Sequence, residues 1–297
     1  MNHEDETRLG VGVIGCGKVG AVIGRALRAA GHAIVGVTAS SDASRDRAEA
    51  MLPAVPVLDI ETVVERAEVV LFTVTDDVLG ELVSGLARLG RFKPGQIVLH
   101  CAGRFGTEVL EPAARAGAIT IALHPSLSFT GTSMDLARLR EATIAVTAAR
   151  TVLPIGQALV VEMGAEPIVV AEADRPLYHA AIAHASNHTV VILSQALEAL
   201  AGLGIEDAPR VLASLMRASV DNTLQAGPGS LTGPVSRGDV DTVAAHLAAL
   251  AEHAVESGST ELDDTYRALA RATVSRALRN GTIDDARALR IIELLES

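Results

Sequence analysis

Short apolar runs alternate with amphipathic stretches over the first half of the chain, and this alternation predicts strands separated by helices. The apolar runs predict strands at residues 9–14, 33–38, 69–74, 96–99, 118–123, 143–147 and 167–170. The stretches between them predict helices at residues 19–30, 44–51, 77–89 and 107–116. This spacing is typical of right-handed βαβ units in a largely parallel sheet, and strands that are apolar throughout indicate helices on both faces.

After residue 170 the pattern predicts helices alone. Helical periodicity covers residues 174–203, 207–226, 239–257, 259–279 and 284–295. The expected N-caps of the last four helices are Asp207, Asp239, Ser259 and Asp284. The sequence therefore predicts an α/β domain at residues 1–171, followed by an all-helical domain at residues 172–297.

A glycine-rich turn follows the first predicted strand directly, in the order Gly15, Cys16, Gly17, Lys18, Val19, Gly20. In dinucleotide-binding turns the first glycine permits the tight turn and the second lets the pyrophosphate approach the backbone. The third lets the helix pack close to the strand, and the N–H groups at the helix N-terminus face the phosphates. We therefore predict a doubly wound, mainly parallel Rossmann sheet with a dinucleotide at these six residues. A purely structural glycine turn is the alternative.

The end of the second predicted strand indicates which dinucleotide binds. Enzymes that use NAD place an acidic residue there for the ribose 2′-hydroxyl, and this chain has none. Ser40, Ser41 and Arg45 follow instead, and hydroxyls with an arginine suit a 2′-phosphate, so NADP is favoured over NAD. The alternative is that Ser44 only caps the next helix and that Arg45 is solvated.

Polar residues also follow three later strands. Thr75 and Asp76 follow the third strand, where they are candidate cofactor contacts; the alternative is that Asp76 or Asp77 only caps the next helix. His100 and His124 each follow an apolar strand, which predicts both imidazoles at the carboxyl edge of the sheet. Histidine titrates near neutral pH and suits proton transfer coupled to hydride transfer. For each histidine the alternative is a ring that bonds only loop backbone.

The first long helix carries His179, Ala183 and Asn187 on one stripe, because these positions are four residues apart. A metal site made of the helical histidines is not expected, since no carboxylate joins them at ligand spacing. Further on, Arg237 ends a stiff loop that is rich in glycine and proline. Arg237 either presents its guanidinium to a substrate carboxylate or forms an ion pair with a nearby aspartate.

Six segments give the chain a resemblance to a known family, at residues 11–20, 73–77, 100–103, 124–129, 178–187 and 231–239. The chain resembles bacterial proteins that pair a Rossmann-like domain with the domain of unknown function 2520. More distantly it is similar to 6-phosphogluconate, pyrroline-carboxylate, ketopantoate and prephenate dehydrogenases. The resemblance implies an NAD(P)-binding fold without an assigned reaction. Because some family members lie beside pantothenate-synthesis genes, it also suggests a ketopantoate-like substrate.

Two details of the resemblance concern catalysis. His124-Pro125 is similar to the His-Pro of prephenate dehydrogenases, where that histidine meets the substrate hydroxyl. Asn187 matches an asparagine of the β-hydroxyacid and ketopantoate relatives, whereas Ala183 occupies the position of their lysine. The departure removes the usual acid, so the resemblance implies that His124 or His179 supplies the proton.

Composition and charge narrow the range of partners. The net charge of −11 and the aromatic content of 2% disfavour nucleic acids and anionic membrane surfaces. No apolar run approaches the ~18 to 20 residues that span a bilayer. Residues 1–9 have no apolar signal segment, and the two cysteines then indicate reduced thiols and a cytoplasmic location. The helical half, rich in alanine and leucine, suits a homodimer interface.

These observations predict an NADP-dependent oxidoreductase that acts on a small keto acid, hydroxy acid or imine. A catalytically silent NAD(P)-binding sensor or scaffold is the alternative, and the missing lysine favours it. The retained His124, His179 and Asn187 favour the enzyme, with His124 as the proton donor and Asn187 as the substrate anchor.

Overall fold

The computed structural model describes residues 8–297, in two compact units. The first unit ends at Ala185, and the second comprises Ser186–Ser297. The sequence predicts a boundary at residues 171/172, where strands give way to helices. The boundary between the compact units lies further along, inside the first long helix, because the start of that helix is bonded to the sheet of the first unit.

The first unit is built on a seven-stranded sheet. Its strands are β1 Gly10–Ile14, β2 Ala33–Val37, β3 Val69–Phe72, β4 Ile97–His100, β5 Ile119–Pro125, β6 Thr143–Ala148 and β7 Glu166–Val169. Their order is β2-β1-β3-β4-β5-β6-β7, and neighbours are parallel except for the antiparallel pair β5 and β6. Each strand overlaps the run predicted for it, so the predicted mainly parallel sheet is confirmed.

Strand order and register bring four strand ends to one edge of the sheet. The chain passes from β1 to β2 on one side and then crosses to β3 on the other, so the order reverses at β1. The register pairs Ile14 with Phe72, Phe72 with His100, and His100 with Ala122. The carboxyl ends of β1, β3, β4 and β5 therefore lie side by side. Open α/β sheets bind ligands in the crevice outside such a reversal.

Helices cover both faces of this sheet. They are α1 Lys18–Ala29, α2 Asp42–Met51, α3 Ile60–Arg66, α4 Asp76–Arg88, α5 Glu111–Arg115, α6 Met134–Arg140 and α7 Leu153–Glu162. Residues of α1, α2, α6 and α7 form one apolar layer with Val13, and residues of α3, α4 and α5 form the other with Ile14. Neighbouring strand residues thus enter opposite layers, which explains why the strand runs are apolar throughout.

Three of these helices, α3, α6 and α7, are not predicted by the sequence. Helices α3 and α6 have seven residues each, which is two turns and too few to establish a helical period. Helix α7 is apolar at most positions and includes Gly156, so its sequence has almost no polar face. A sheet-covering helix with this composition cannot be told from a strand by periodicity alone.

The rest of the chain is helical, as predicted. The helices are α8 Arg175–Gly202, α9 Ala208–Ala226, α10 Pro234–Arg237, α11 Val240–Ser257, α12 Glu261–Arg279 and α13 Asp285–Glu296. Helices α10 to α13 of the second unit enclose an apolar core that includes Val243, Val274 and Ile291. The structure therefore has a Rossmann fold followed by a helical region. Within residues 8–297, no helix combines the length and the hydropathy that crossing a membrane requires.

The predicted helix starts follow the side chains that cap them. Asp207, Asp239 and Asp284 each accept a hydrogen bond from the backbone N–H three residues on, as N-cap residues do. The fourth N-cap differs from the prediction: Thr260 precedes α12, and its hydroxyl donates to Asp264 instead of capping the backbone. Ser259 lies one residue earlier, where its hydroxyl accepts from the N–H of Glu261 at 3.3 Å.

Candidate functional site

The glycine turn after β1 is held by close backbone contacts. Gly15 has φ +96°, a conformation that side chains rarely adopt, and its N–H donates to the Thr38 hydroxyl at 2.8 Å. A Cβ at Gly20 would lie 2.3 Å from the Gly15 carbonyl oxygen and 2.4 Å from Thr73 Oγ1. The Thr73 hydroxyl donates to the same Gly15 oxygen at 2.6 Å. Glycine is therefore required at positions 15 and 20 by the protein's own packing.

Gly17 is different, because its surroundings are open. A Cβ there would have no neighbour within 4 Å, and the backbone has ordinary extended angles. Gly17 precedes α1, whose first turn has no acidic residue and no side-chain cap. No side chain caps the N–H groups of this turn, so they and the partial positive charge of the helix N-terminus are available beside the open position of Gly17. This cradle fits the pyrophosphate of a dinucleotide, which a side chain at position 17 would obstruct.

The other residues of the turn have distinct environments. Lys18 is the exposed first residue of α1, and Val19 packs partly against the core. Cys16 is buried, and its burial raises the pKa of the thiol to about 11. Its N–H donates to the Thr38 carbonyl at 2.8 Å, so Cys16 contributes backbone rather than a reactive sulfur to the turn.

The loop after β2 begins the next helix with a capping box. The hydroxyls and N–H groups of Ser41 and Ser44 bond each other reciprocally. The N-cap is Ser41, not Ser44 as the sequence suggested, and Ser44 is the third residue of α2. Arg45 is exposed and pairs with Asp42 at 2.9 Å, while Ser40 is exposed. An exposed ion pair contributes about 0 to 1 kcal/mol, so Arg45 is readily released to another anion.

A second arginine of α2 lies closer to the glycine turn. The loop after β5 is fixed by the fully buried Asp135, which accepts from the N–H groups of Thr130 and Gly131 at 2.7 and 2.8 Å. A Cβ on Gly131 would lie 2.7 Å from Arg47 Nε and 3.1 Å from Lys18 Cα. Arg47 therefore reaches the N-terminus of α1, a placement that the sequence does not reveal.

The end of β3 joins this group through Thr75 and Asp76, the two residues predicted as cofactor contacts. The alternative of Asp76 or Asp77 as the helix cap is wrong, because both lie inside α4. Thr75 is the N-cap residue of α4, and its hydroxyl bonds Asp77 and lowers the pKa of that carboxyl. Asp76 begins α4 and pairs with Arg104, with 3.3 Å between Oδ2 and Nε. Both residues lie at the carboxyl edge of the sheet, next to the strand that carries the glycine turn.

Both ring nitrogens of His100 form hydrogen bonds with loop backbone. It is fully buried at the end of β4, with Nε2 2.7 Å from the Gly106 carbonyl oxygen. Its Nδ1 accepts from the N–H of Ala102 at 3.1 Å, so Nε2 carries the hydrogen and the ring is neutral. Burial lowers the pKa of His100 to about 4. This is the loop-bonding arrangement that the sequence left as the alternative to catalysis, and it fixes the turn containing Gly103.

His124 and His179 meet above Gly103. The two rings pack edge to face with 5.6 Å between their centroids. A Cβ on Gly103 would lie 2.8 Å from Nε2 of both histidines, so both nitrogens converge on this glycine. On the other side of its ring, His124 Nδ1 lies 3.1 Å from the Tyr178 hydroxyl, which lies 2.9 Å from Ser126 Oγ. The four side chains therefore form one cluster at the end of β5.

Arg175, the first residue of α8, lies buried beside this cluster. Its Nε donates to the Thr147 hydroxyl at 2.7 Å, and its Nη2 donates to the carbonyls of Ala122 and Ala145 at 2.9 and 3.1 Å. Its Nη1 has no hydrogen-bond partner. Burial, the neighbouring His179 and the charge of Arg175 together lower the pKa of His124 to about 4. His124 is therefore neutral at pH 7.

The two remaining predicted site residues belong to the second unit. Asn187 is exposed on α8, and Arg237 is exposed at the end of α10. The aspartate next to Arg237, Asp239, bonds the N–H and hydroxyl of Thr242. These bonds lower the pKa of Asp239 more than the Arg237 charge does. The proposed roles of Asn187 and Arg237 stay predictions.

Some members of the cluster could not be found by sequence reasoning. Tyr178 and Ser126 lie within segments that carry the family resemblance, but nothing in their spacing indicates that their hydroxyls meet. Arg175 has no signal at all, since an arginine at a predicted helix start is normally solvated. Among residues 8–297, no group of three or more His, Cys, Asp or Glu side chains is arranged to hold a metal ion.

Comparisons with solved structures place this architecture among known proteins. Protein TM1727 from Thermotoga maritima is 21% identical with a TM-score of 0.64, over 91% of this chain and 99% of that one. A candidate NADP oxidoreductase from Bacteroides fragilis is 18% identical with a TM-score of 0.74, over 90% and 98%. Pyrroline carboxylate reductase from Plasmodium falciparum, solved with NADP bound, is 10% identical with a TM-score of 0.57, over 97% and 98%. At these identities the likeness establishes the fold alone.

Family models match both parts of the sequence. A Rossmann-like domain matches residues 2–125, and the domain of unknown function 2520 matches residues 142–273. A search of curated proteins found none that matches the sequence. The chain therefore carries a Rossmann-like domain followed by the domain of unknown function 2520, the pairing that the resemblance implies.

Proposed function

We propose that the protein is an NADP-dependent oxidoreductase that reduces a small keto acid or imine, or oxidises the corresponding hydroxy acid. The observation that carries the proposal is the pairing of an open glycine cradle at Gly17 with two histidines converging on Gly103 along the same sheet edge. When bound, the nicotinamide cofactor supplies the hydride. The protein must then bind its phosphates and provide a proton to the substrate.

The position of the strands supports this arrangement. A dinucleotide whose pyrophosphate lies at the β1 turn extends its nicotinamide across the strand ends toward later strands. His124 lies at the end of β5, where its Nε2 lies against Gly103. Neighbours in fold include a protein named as a candidate NADP oxidoreductase and an imine reductase from a Pseudomonas species, which is 16% identical with a TM-score of 0.61. A ketopantoate-like substrate fits this class of reaction.

The alternative is a sensor or scaffold that binds NAD(P) without turnover. Ala183, at the position of the relatives' lysine, favours it. The histidine cluster favours the enzyme, since the Nε2 atoms of His124 and His179 both lie against Gly103 at the carboxyl edge of the sheet. Substrate-dependent consumption of NADPH, measured over a panel of small keto acids and cyclic imines, supports the enzyme. Tight NADPH binding without consumption of NADPH for any panel member supports the sensor.

The first prediction concerns the cradle. We expect Gly17→Val to fold normally, since its side chain meets no protein atom, but to lose the thermal shift that NADPH produces. At a ligand concentration of about 100 times Kd, that shift corresponds to about 2.7 kcal/mol in the native protein. Gly202→Val is the matched control, because Gly202 is equally open and lies in the second unit. An unchanged NADPH shift in Gly17→Val would reject the cofactor assignment.

The second prediction concerns the choice of cofactor. Thr38 stands at the end of β2 and uses its hydroxyl to accept from Gly15 N–H, so no carboxylate is present there to bind a 2′-hydroxyl. We expect NADPH to bind more tightly than NADH, by a factor that shrinks as salt is added, because the 2′-phosphate is recognised by charge. Arg45→Ala should narrow the difference.

Two other variants control this measurement. Arg115→Ala removes a comparable exposed ion pair, with Glu111, and should leave the ratio of affinities unchanged. Arg47→Ala tests the arginine beside the N-terminus of α1. If Arg47→Ala alone narrows the difference, Arg45 is not the phosphate ligand. Equal affinities for NADPH and NADH in the native protein would remove the case for NADP.

The proposed assembly is a homodimer. Only Ala208 is buried among the 19 residues of α9, and its apolar side chains Val211, Leu215, Val220 and Leu224 are 51%, 59%, 47% and 81% exposed. Val211 and Leu215 share one face of α9, and Val220 and Leu224 share the opposite face. Exposed apolar side chains on both faces of one helix favour an interface, and a two-fold pair of identical chains is the commonest way to form one. A cytoplasmic location stays a prediction from the sequence.

The third prediction tests this assembly. We expect light scattering to give the mass of two chains for the native protein and of one chain for Leu215→Glu, because a buried carboxylate destabilises an apolar interface. Leu289→Glu is the matched control: Leu289 is 60% exposed on α13 and should leave the mass unchanged. A native protein that is monomeric at micromolar concentration contradicts the proposal.

A further inference from the structure

We propose that Ser126, Tyr178 and His124 form an electrically neutral proton relay, and that the site therefore reduces a carbonyl group in preference to an imine. This inference rests on the proposed reductase function and specifies its substrate class. Tyr178 and Ser126 are not predicted as site residues from the sequence. The argument begins with the hydrogen bonds that join them to His124.

The relay is a continuous chain of hydrogen bonds. Ser126 Oγ lies 2.9 Å from the Tyr178 hydroxyl, which lies 3.1 Å from His124 Nδ1. Ser126 is half-buried, so it connects the chain to solvent, and its N–H is fixed by the Thr143 carbonyl at 2.9 Å. The Tyr178 and His124 rings pack edge to face with 5.5 Å between centroids, which holds the hydroxyl at Nδ1.

The direction of the chain follows from its acidities. A phenol hydroxyl is more acidic than an aliphatic hydroxyl. The Tyr178 hydroxyl is therefore assigned as the donor to Nδ1 of His124 and as the acceptor from the Ser126 hydroxyl. A neutral imidazole has one donor and one acceptor nitrogen, so Nε2 of His124 then carries the hydrogen. That nitrogen faces Gly103, where Nε2 of His179 also converges. Both rings already contact Gly103 there, so the proposal requires a substrate oxygen to approach Nε2 of His124 beside the glycine, where it receives a hydrogen bond from that nitrogen.

Arg175 opposes the charged form of His124. Its guanidinium is fully buried, and its hydrogen bonds go to neutral oxygens of Thr147, Ala122 and Ala145. A second positive charge on the adjacent imidazole is disfavoured in such surroundings. The other titratable groups facing this region are His100, Cys101, Glu172, Tyr178 and His179.

Glu172 is the acidic member of this set. It accepts from the N–H groups of Thr107 and Glu108 at 2.7 and 3.2 Å and from the Thr107 hydroxyl at 3.1 Å. These bonds fix its carboxylate on the loop after β4, and it forms no ion pair with Arg175 within the part of the chain that the structure describes. The buried positive charge is therefore only partly balanced.

The same charge selects the substrate. An imine is reduced readily as its iminium cation, which would sit beside the partly balanced charge of Arg175. A protonated imine needs no further proton when hydride arrives. A carbonyl group is neutral, and its reduction leaves an alkoxide that must be protonated. The relay supplies that proton without forming an imidazolium. The cluster is therefore suited to a carbonyl.

The proposed step balances as follows. Hydride from the reduced nicotinamide cofactor bonds to the carbonyl carbon, and the electron pair of the C=O π bond moves to oxygen. The Nε2 proton of His124 passes to that oxygen as Nδ1 takes the Tyr178 proton. Tyr178 then takes the Ser126 proton, and Ser126 recovers a proton from water. The imidazole changes tautomer but stays neutral throughout.

The first measurement needs no cofactor. NMR of the histidine ring nitrogens, with His124→Gln to assign the signal, should find His124 neutral with hydrogen on Nε2 from about pH 6 to about pH 8. In Tyr178→Phe the signal should become a mixture of both tautomers. Tyr266→Phe is the matched control, since Tyr266 makes the same contact to His246 Nδ1 at 2.9 Å in the second unit. Hydrogen on Nδ1 of His124 in the native protein overturns the relay.

The second measurement is turnover. We expect keto acids to be reduced faster than cyclic imines, and both Tyr178→Phe and Ser126→Ala to lower kcat for the carbonyl, Tyr178→Phe by about 10²-fold with little change in KM. Tyr266→Phe should retain native kcat. Reduction of imines but not carbonyls overturns this inference and leaves the reductase function standing. If neither class is reduced, the proposed function fails and the relay fails with it.

Discussion

The guanidinium of Arg175 connects the parts of the molecule that matter for its chemistry. Arg175 is the first residue of α8, and its guanidinium donates hydrogen bonds to carbonyls of both β5 and β6 and to the Thr147 hydroxyl. Hydrogen bonds to a charged group contribute about 1.5 to 3 kcal/mol each, whereas one buried donor without a partner costs about 1 to 3 kcal/mol. The bonds satisfy Nε and Nη2, while Nη1 has no partner. By fixing the start of α8 on the sheet, Arg175 holds Tyr178 and His179 beside His124.

The antiparallel pairing of β5 and β6 makes this anchor possible. Ala122 pairs with Thr147 and His124 pairs with Ala145, so carbonyls from both strands lie within reach of one side chain. At the other end of the same sheet edge, contacts with Thr73 leave no room for a side chain at positions 15 and 20. A Cβ at Gly17 would meet no protein atom. The protein thus combines a glycine turn fixed by its own packing, which we propose as the phosphate site, with a hydrogen-bonded histidine cluster. His100 and Asp135 add to this rigidity, since each fixes a loop between the two.

Hydrophobic periodicity was sufficient to predict all seven strands, because each is a short apolar run, and β1, β3 and β4 are buried at every position. It also predicted the five long helices of the second half, whose caps are ordinary aspartates in three cases. Helices α3, α6 and α7 escaped prediction because their form depends on the sheet they cover. The glycine motif predicted the cradle from local geometry alone. The relay could not be predicted, since Ser126 and Tyr178 are brought together only by the docking of α8.

A structure with NADP bound tests the account most directly, through the distance from nicotinamide C4 to His124 Nε2. A carbonyl group that sits against C4 and accepts a hydrogen bond of about 2.6 to 3.2 Å from Nε2 requires the two atoms to lie within roughly 6 Å of each other. The account predicts such a distance, with the pyrophosphate against Gly17. A distance well over ~10 Å, with no hinge that closes it, would contradict His124 as the proton donor.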